Sequence, residues 1–243
     1  MTYSPAPGTD GIERILVITA HPDDADFGAA GTIATWTDAG VEVAYCIATR
    51  GDAGGFDDTP REQMRQRREE EQRAAGAAVG VTDITFLDYP DGRLYVTHEL
   101  RRDITRQIRR FRPQRVLTLS PERDWSLIAR AHPDHLAVGA AAVAAVYPDA
   151  RNEFAHPELL LEENLKPWTV GELWLSGGPA EDRYVDVTGT FDRKLTALHS
   201  HLSQTGHIEE FDDNMRRAFG GRAVSMGLPE GHFVETFNVV NTG

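Results

Sequence analysis

Short apolar runs alternate with longer amphipathic or alanine-rich segments along the chain. The runs at 15–18, 41–48, 84–87 and 115–120 have the apolar, partly β-branched character of strands buried on both faces of a parallel sheet. The segments between them have the pattern of helices, at 28–39, 60–79 and 97–112. This alternation predicts an α/β fold in which helices cover both faces of a mostly parallel sheet.

The second half of the chain continues the pattern with shorter elements. Strands are predicted at 171–176 and 184–187, and helices at 136–146, 191–203 and about 209–218. The segment 147–167 between them is irregular and rich in proline, and we expect substrate selection there. We expect a single domain over residues 1–243, with a flexible N-terminus at 1–11 and a small C-terminal appendage over about 205–243.

The composition of the chain indicates which classes of partner are excluded and which cell compartment is expected. The formal net charge of −13 argues against nucleic acid and against an anionic membrane surface, because both bind basic faces. No apolar stretch approaches the length of a transmembrane helix, and the N-terminus lacks the features of a signal peptide. The lone Cys46 lies in a predicted strand, where packing is the expected role. We therefore expect a cytoplasmic protein.

The candidate chemistry begins in the stretch Thr19-Ala20-His21-Pro22-Asp23-Asp24-Ala25-Asp26, directly after the first predicted strand. This position is a strand-to-helix turn, and ligands of open α/β sheets bind at that edge. A second stretch, Ala131-His132-Pro133-Asp134-His135, repeats the chemistry before a helical run. A single His-Pro-Asp is also ordinary turn and N-cap chemistry. Two copies on different turns instead favour a Zn²⁺ centre with three protein ligands.

These motifs resemble those of the PIG-L/LmbE-like zinc-dependent de-N-acetylases, among them GlcNAc-PI de-N-acetylases and deacetylases of the mycothiol and bacillithiol pathways. The resemblance extends from about residue 14 to about residue 204. Besides the two paired motifs it includes Arg68-x-x-Glu71 with Ala75 and Gly80-Val81, Asp91-Gly92-x-Leu94, and the region from Lys194 through Ser203-Gln204. It implies a Rossmann-like (LmbE-like) three-layer sandwich and hydrolysis of an N-acetyl group from an amino sugar or its conjugate, with release of acetate.

By the same resemblance, His21, Asp24 and His135 are the expected ligands of one Zn²⁺ per chain, and a His₂-carboxylate set also suits Fe²⁺ or Co²⁺. Asp23 is the expected general base, which takes a proton from water and later gives it to the leaving amine. His132 is expected to stabilise the oxyanion. Asp134 is expected to orient His132.

Three residues are expected to contact substrate. Arg68 matches a position implicated in substrate binding or pocket structure, although an ordinary surface ion pair is the alternative. Asp91 is expected to face the sugar, although Asp-Gly is also turn chemistry. Arg130 stands where some relatives carry a tyrosine that assists the oxyanion, so it is either a cationic donor or a salt-bridge partner. The turn at 49–56 is either a wall of the pocket or a mobile loop.

Other readings remain open on the sequence alone. The chain could be an amidase of thiol-sugar conjugates, or a sugar- or nucleotide-binding module that has lost catalysis. His199 and His201 match the C-terminal part of the resemblance and are candidates for closing the pocket. Relatives that form trimers or hexamers suggest a homo-oligomer, for which the run Phe233-Val234-Glu235-Thr236-Phe237 is a candidate interface, unless it packs on its own core.

Overall fold

The computed structural model describes residues 3–128 and 131–243, which form an eight-stranded sheet in the order β1-β7-β8-β6-β5-β2-β3-β4. The neighbouring strands run parallel except at β8, which is antiparallel to both β6 and β7. The strands are β1 Ser4–Pro5, β2 Arg14–Thr19, β3 Glu42–Thr49, β4 Asp83–Tyr89, β5 Arg115–Leu119, β6 Glu172–Ser176, β7 Arg183–Asp186 and β8 Val234–Asn241.

Helices lie on both faces of the sheet, as the pattern predicted. They are α1 Asp24–Asp38, α2 Arg61–Ala78, α3 His98–Phe111, α4 Pro133–Ala144, α5 Pro157–Leu161, α6 Phe191–Ser200, α7 Leu202–Thr205 and α8 Phe211–Ser225. One apolar core lies between the sheet and helices α1, α2 and α6, and a second lies between the opposite face and helices α3 and α4. The predicted three-layer α/β sandwich is therefore confirmed.

The order of the strands places a crevice at one edge of the sheet. The chain leaves β2 through α1 toward β3, whereas β5 lies on the other side of β2 and is followed by α4 on the opposite face. Such a reversal of strand order separates the loops that follow β2 and β5, and ligands bind in the resulting space. Both His-Pro-Asp stretches come from these two loops, so the fold brings them together.

The C-terminal segment is integrated into the domain. We expected an appendage from about residue 205, but β8 lies between β6 and β7 within the sheet. Val234 and Phe237 are fully buried in it. The run 233–237 therefore packs mainly on its own core, which is one of the two alternatives that the sequence left open.

None of the helices in the described ranges has the length and apolar character that crossing a membrane requires.

Candidate metal centre and active site

The turn after β2 holds the first motif in a tightly bonded conformation. Asp24 begins α1, and its Oδ2 atom accepts hydrogen bonds from the backbone N–H groups of Ala20 at 3.1 Å and His21 at 2.8 Å. Asp23, one residue earlier, has a left-handed backbone with φ of 98°. That conformation is uncommon for a residue other than glycine. It turns the adjacent carboxylates of Asp23 and Asp24 in different directions.

Three side chains from the two motifs, which we call the donor triangle, bring two imidazole nitrogens close to the two oxygens of one carboxylate. His21 Nδ1 lies 3.3 Å from His135 Nε2 and 3.5 Å from Asp24 Oδ2, and His135 Nε2 lies 2.9 Å from Asp24 Oδ1. A tetrahedral Zn²⁺ with ligand distances of about 2.0–2.1 Å keeps its donor atoms about 3.3 Å apart. The spacing and the chemistry of this set, two imidazoles and one carboxylate, therefore fit a divalent cation.

The other nitrogen of His21 faces two further carboxylates. His21 Nε2 lies 3.1 Å from Asp91 Oδ1 and 3.2 Å from Asp134 Oδ2. These carboxylates are themselves held by backbone N–H groups, Asp91 by Ala53 at 2.8 Å and Asp134 by Gly92 at 2.8 Å. A metal-binding histidine commonly donates its second N–H to a carboxylate, which fixes the ring and its tautomer. Asp91 and Asp134 therefore orient His21.

The electrostatics of the triangle favour a positive charge. Burial opposes the charged form of His21, yet Asp24, Asp134 and Asp91 together raise the pKa of this imidazole to about 12. Burial likewise opposes ionisation of Asp24, but His135 and His21 hold the pKa of that carboxyl well below its usual range. A bound cation would supply the positive charge that these groups otherwise draw from a proton.

Asp23 lies beside the triangle and is held from two directions. Arg68 Nη2 donates to Asp23 Oδ2 at 2.9 Å and to the carbonyl of Pro22 at 2.5 Å, and Arg68 Nη1 donates to the carbonyl of Gly51 at 3.1 Å. The backbone N–H of Asp23 donates to Gln72 Oε1 at 2.8 Å. Burial raises the pKa of Asp23 to about 6, even though Arg68 lowers it. Such a carboxylate is suited to accept a proton near neutral pH.

His132 is open to the cavity and has a defined tautomer. Its Nδ1 atom accepts a hydrogen bond from the backbone N–H of Asp134 at 3.2 Å, so a neutral ring carries its proton on Nε2. Partial burial lowers the pKa of His132, and the imidazoles of His21 and His135 lower it further, which favours the neutral ring. The centroid of the ring lies 5.0 Å from that of His21. His132 therefore presents an N–H donor beside the triangle.

The contacts of three further predicted residues can be compared with our expectations, and they differ for Asp134 but fit a place in the pocket for Arg68. The Asp134 carboxylate contacts His21, and its hydrogen bond with His132 is made by its backbone instead. Asp91 contacts His21 Nε2 and is 7% exposed, although it also lines the cavity. Arg68 is buried against Asp23 and is not in a surface pair. Arg130 lies outside the described residues.

The glycine-rich turn after β3 forms part of the cavity wall. Ala53 and Gly54 line the cavity, and a Cβ atom at Gly51 would lie 2.4 Å from Arg68 Nη1. Gly51 also has a positive φ of 68°. The turn can pass this close to the guanidinium only because position 51 lacks a side chain.

The two C-terminal histidines have separate environments. His201 is fully buried, and its Nε2 lies 2.8 Å from Asp26 Oδ2 beneath the first turn of α1. His199 lies on the surface, 2.6 Å from Asp212. His201 therefore supports the turn that carries Asp23 and Asp24, whereas the contact described for His199 is with a surface carboxylate.

Sequence reasoning missed Gln72, Asp26 and Glu235, which are fully buried polar residues around α1. Gln72 lies one helical turn after Arg68 on α2, so the i, i+4 spacing was a usable signal that both side chains point toward Asp23. For Glu235 the signal was weaker. An acidic residue inside an apolar strand needs a buried partner, but its position along the chain does not identify Lys194 as that partner.

The cavity extends well beyond the donor triangle. It has a volume of about 700 Å³ and runs from His132 and Asp23 past Phe27 toward α8 and β8. At that far end it is lined by Glu181, Met215, Phe219, Arg222 and Thr236. The α8 side of the wall therefore combines apolar side chains with the guanidinium of Arg222, and the wall beside β8 is polar.

Known proteins are similar to this chain in sequence and fold. The sequence model described as "PIG-L: GlcNAc-PI de-N-acetylase" matches residues 16–146. The chain is 32% identical over 194 residues to diacetylchitobiose deacetylase of Thermococcus kodakarensis, and the alignment covers 79% of this chain and 70% of that protein. It is 32% identical over 202 residues to the probable N-acetyl-alpha-D-glucosaminyl L-malate deacetylase 2 of Bacillus cereus, and that alignment covers 79% of this chain and 84% of that protein.

A solved structure extends the likeness over nearly the whole chain. The N,N'-diacetylchitobiose deacetylase of Pyrococcus horikoshii, in complex with its inhibitor MPG, superposes with a TM-score of 0.86 at 26% sequence identity. The match covers 96% of this chain and 86% of the other. The C-terminal elements that complete the cavity therefore belong to the shared fold, although they lie outside residues 16–146.

Proposed function

Because the chain belongs to the PIG-L, GlcNAc-PI de-N-acetylase family, we propose that it is a metal-dependent hydrolase that removes the N-acetyl group from an amino sugar or its conjugate and releases acetate. The observation that carries this proposal is the arrangement around one cavity of a metal-type donor triangle, a buried carboxylate and an imidazole N–H. A module that had lost catalysis would have no need to hold Asp23 from both its backbone and its side chain.

We assign His21 Nδ1, Asp24 and His135 Nε2 as the ligands and Zn²⁺ as the metal. Other triplets of donors lie within 4.8 Å of one another in the described part of the chain, namely His21 with His132 and His135, and His21 with Asp91 and Asp134. The first set holds no carboxylate. In the second set, both oxygens of Asp134 already accept backbone N–H bonds, whereas the backbone N–H bonds to Asp24 go to Oδ2 and its Oδ1 faces His135. When bound, the divalent cation supplies Lewis acidity, which acidifies water and polarises a carbonyl.

The residues of the chain supply the proton transfers of amide hydrolysis. Asp23 accepts a proton from the attacking water as the new C–O bond forms at the acetyl carbon. The Nε2–H group of His132 donates a hydrogen bond to the carbonyl oxygen as that oxygen gains negative charge. When the C–N bond breaks, Asp23 returns the proton to the nitrogen. The products are a primary amine on the sugar and acetic acid, which ionises to acetate.

The shape of the cavity supports a substrate larger than one free sugar. The space continues from the donor triangle to Phe219 and Thr236, so a group linked to the amino sugar can occupy its far end. Conjugates of this kind include a second sugar and a linked acid, and the names of the relatives include both types. An N-acetylated thiol-sugar conjugate is the alternative within the same chemistry.

The proposal is tested by measuring metal and acetate on the purified protein. We expect about one divalent ion per chain and release of acetate from one or more of N-acetylglucosamine, diacetylchitobiose and N-acetylglucosaminyl malate. Removal of the metal by a chelator should abolish turnover, and added Zn²⁺ should restore it. A metal-replete protein that releases no acetate from any N-acetylated sugar or sugar thiol would overturn the assignment.

A further inference from the structure

A chain of buried polar side chains runs from the turn that carries Asp23 into the protein. Gln72 Oε1 accepts the hydrogen bond of the Asp23 backbone N–H at 2.8 Å, and Gln72 Nε2 donates to Asp26 Oδ2 at 2.9 Å. The same Asp26 oxygen lies 2.8 Å from His201 Nε2. Gln72, Asp26 and His201 are all fully buried. These hydrogen-bonded side chains lie outside the donor triangle and take no part in the steps of hydrolysis described above.

The hydrogen bonds fix the orientation of the Gln72 amide. A backbone N–H can only donate, so the oxygen of Gln72 must face Asp23. The amino group must then face Asp26, whose carboxylate accepts from it and, on the other side, from His201. Asp26 thus holds the amide in the orientation that Asp23 requires. The Asp26 carboxylate is in turn held by His201, which comes from the segment between α6 and α7.

Asp23 needs such support because its local conformation is unfavourable. A left-handed backbone at a residue other than glycine is strained and persists only where the surroundings impose it. The N–H of Asp23 also immediately precedes α1, where backbone donors have no partner within the helix. Gln72 supplies that partner. Without it, the turn loses the contact that fixes its peptide plane.

Helix α2 holds Asp23 at two points one turn apart. Arg68 binds the carboxylate, and Gln72 binds the backbone N–H of the same residue. Resting on the function proposed above, we infer that Gln72 is a positioning residue for the proton-transferring carboxylate of Asp23, with Asp26 and His201 fixing its amide. Gln72 touches neither substrate nor metal in this role. It sets where the Asp23 carboxylate lies.

The test replaces Gln72 by methionine, which has similar length and no hydrogen-bonding amide. A misplacement of about 1 Å at a reacting group lowers turnover by up to about 10²-fold. We expect Gln72→Met to lower kcat by about 10- to 100-fold, with KM within about twofold and metal content unchanged. The matched control is Gln66→Met on the exposed face of the same helix, where Gln66 bonds only to Glu70 among its described contacts. It should leave kcat unchanged.

A double-variant comparison separates positioning from packing. If Gln72 acts through Asp23, Gln72→Met should have little further effect on the residual kcat of Asp23→Asn, because the group that it positions is already disabled. If Gln72 only fills space, its effect should be the same fold-change in both backgrounds. An unchanged kcat in Gln72→Met, or the same fold-change in both backgrounds, would overturn the inference.

Hydrogen exchange tests the bond between Gln72 and Asp23 without relying on catalysis. Amide hydrogen exchange of Asp23, followed by NMR in metal-free protein, should be slow in the wild type and in Gln66→Met, and faster in Gln72→Met. Should Gln72→Met fail to fold, Gln72→Asn, whose amide is too short to reach Asp23, replaces it in both assays. Rapid exchange of the Asp23 amide in the wild type would show that the hydrogen bond does not form. Absence of acetate release by the wild type refutes the proposed function instead.

Discussion

The Nδ1 atom of His21 lies 3.3 Å from the Nε2 atom of His135, although 114 positions separate the two residues in the chain. Two imidazole nitrogens at this distance repel through their lone pairs unless a proton or a metal ion lies between them. The Asp24 carboxylate completes the triangle and contacts both rings. The sheet edge between β2 and β5 therefore brings together a site whose donors need a shared proton or metal ion.

The first prediction concerns metal retention. His21→Ala and His135→Ala each remove one of the three ligands that we propose, so both variants should lose the bound ion during dialysis against metal-free buffer. Elemental analysis of the dialysed proteins measures this directly. The control is His199→Ala, because His199 lies on the surface beside Asp212. Full metal occupancy in both ligand variants would contradict our ligand assignment.

The second prediction concerns the carboxylates behind His21. Asp134→Asn replaces an oxygen that faces His21 Nε2, and it disturbs the hydrogen bonds from Gly92 and Leu94. Loss of a residue that orients a metal ligand typically weakens metal binding by about 10- to 100-fold. We expect a loss of that size for Asp134→Asn, and a loss in the same direction for Asp91→Asn, in competition titrations with a chelator. Unchanged affinity in both variants would mean that His21 is held by other contacts.

Comparison of sequence and structure shows where a pattern carries spatial information. The meeting of His21 with His135 was predictable, because turns that follow parallel strands reach the same edge of a sheet. The partner of Asp134 was not predictable. A carboxylate near two histidines binds whichever ring nitrogen the strand register brings within reach, and here that nitrogen belongs to His21 on β2's turn. Family resemblance placed Asp91 near the sugar, yet its oxygens contact the Ala53 backbone N–H at 2.8 Å and His21 Nε2 at 3.1 Å.

The position of β8 shows the same limit at the level of the fold. The run Phe233–Phe237 reads as a strand, but an apolar run does not reveal which strands it will pair with. Its insertion between β6 and β7 depends on contacts formed only in three dimensions, among them the bond of Glu235 to Lys194. Arg68 illustrates the opposite case, since its spacing from Gln72 on α2 already implied a shared face.

The third prediction concerns the stability of this buried pair. Lys194 Nζ lies 2.7 Å from Glu235 Oε1, and both residues are fully buried. Glu235 also accepts hydrogen bonds from the backbone N–H groups of Gly31 and Thr32, which ties β8 to α1. Removal of one partner leaves an uncompensated buried charge, so Lys194→Met should lower the free energy of unfolding by about 3–5 kcal/mol.

Urea unfolding followed by circular dichroism measures that loss. The control is Asp192→Asn on the same helix, which breaks an exposed ion pair with Arg216 and should cost less than about 1 kcal/mol. The double variant with Lys194→Met and Glu235→Gln should cost less than the sum of the two single changes, because neither charge then remains alone. Equal and small losses in Lys194→Met and Asp192→Asn would refute a structural role for the pair.

The last prediction separates the proton acceptor from the metal ligand in two adjacent aspartates. The structure turns their carboxylates apart: Asp23 bonds to Arg68, whereas Asp24 contacts His21 and His135. Asp23→Asn removes the proton acceptor and keeps the side-chain size, so turnover should fall by about 10²–10⁴-fold with metal content and fold intact. The loss of rate toward low pH that comes from protonation of Asp23 should also disappear.

Asp24→Asn should lose metal first, and added Zn²⁺ should restore part of its activity. Elemental analysis and pH-rate profiles of both variants distinguish the two roles. If Asp23→Asn loses its metal while Asp24→Asn retains it, the roles of Asp23 and Asp24 are the reverse of those we propose.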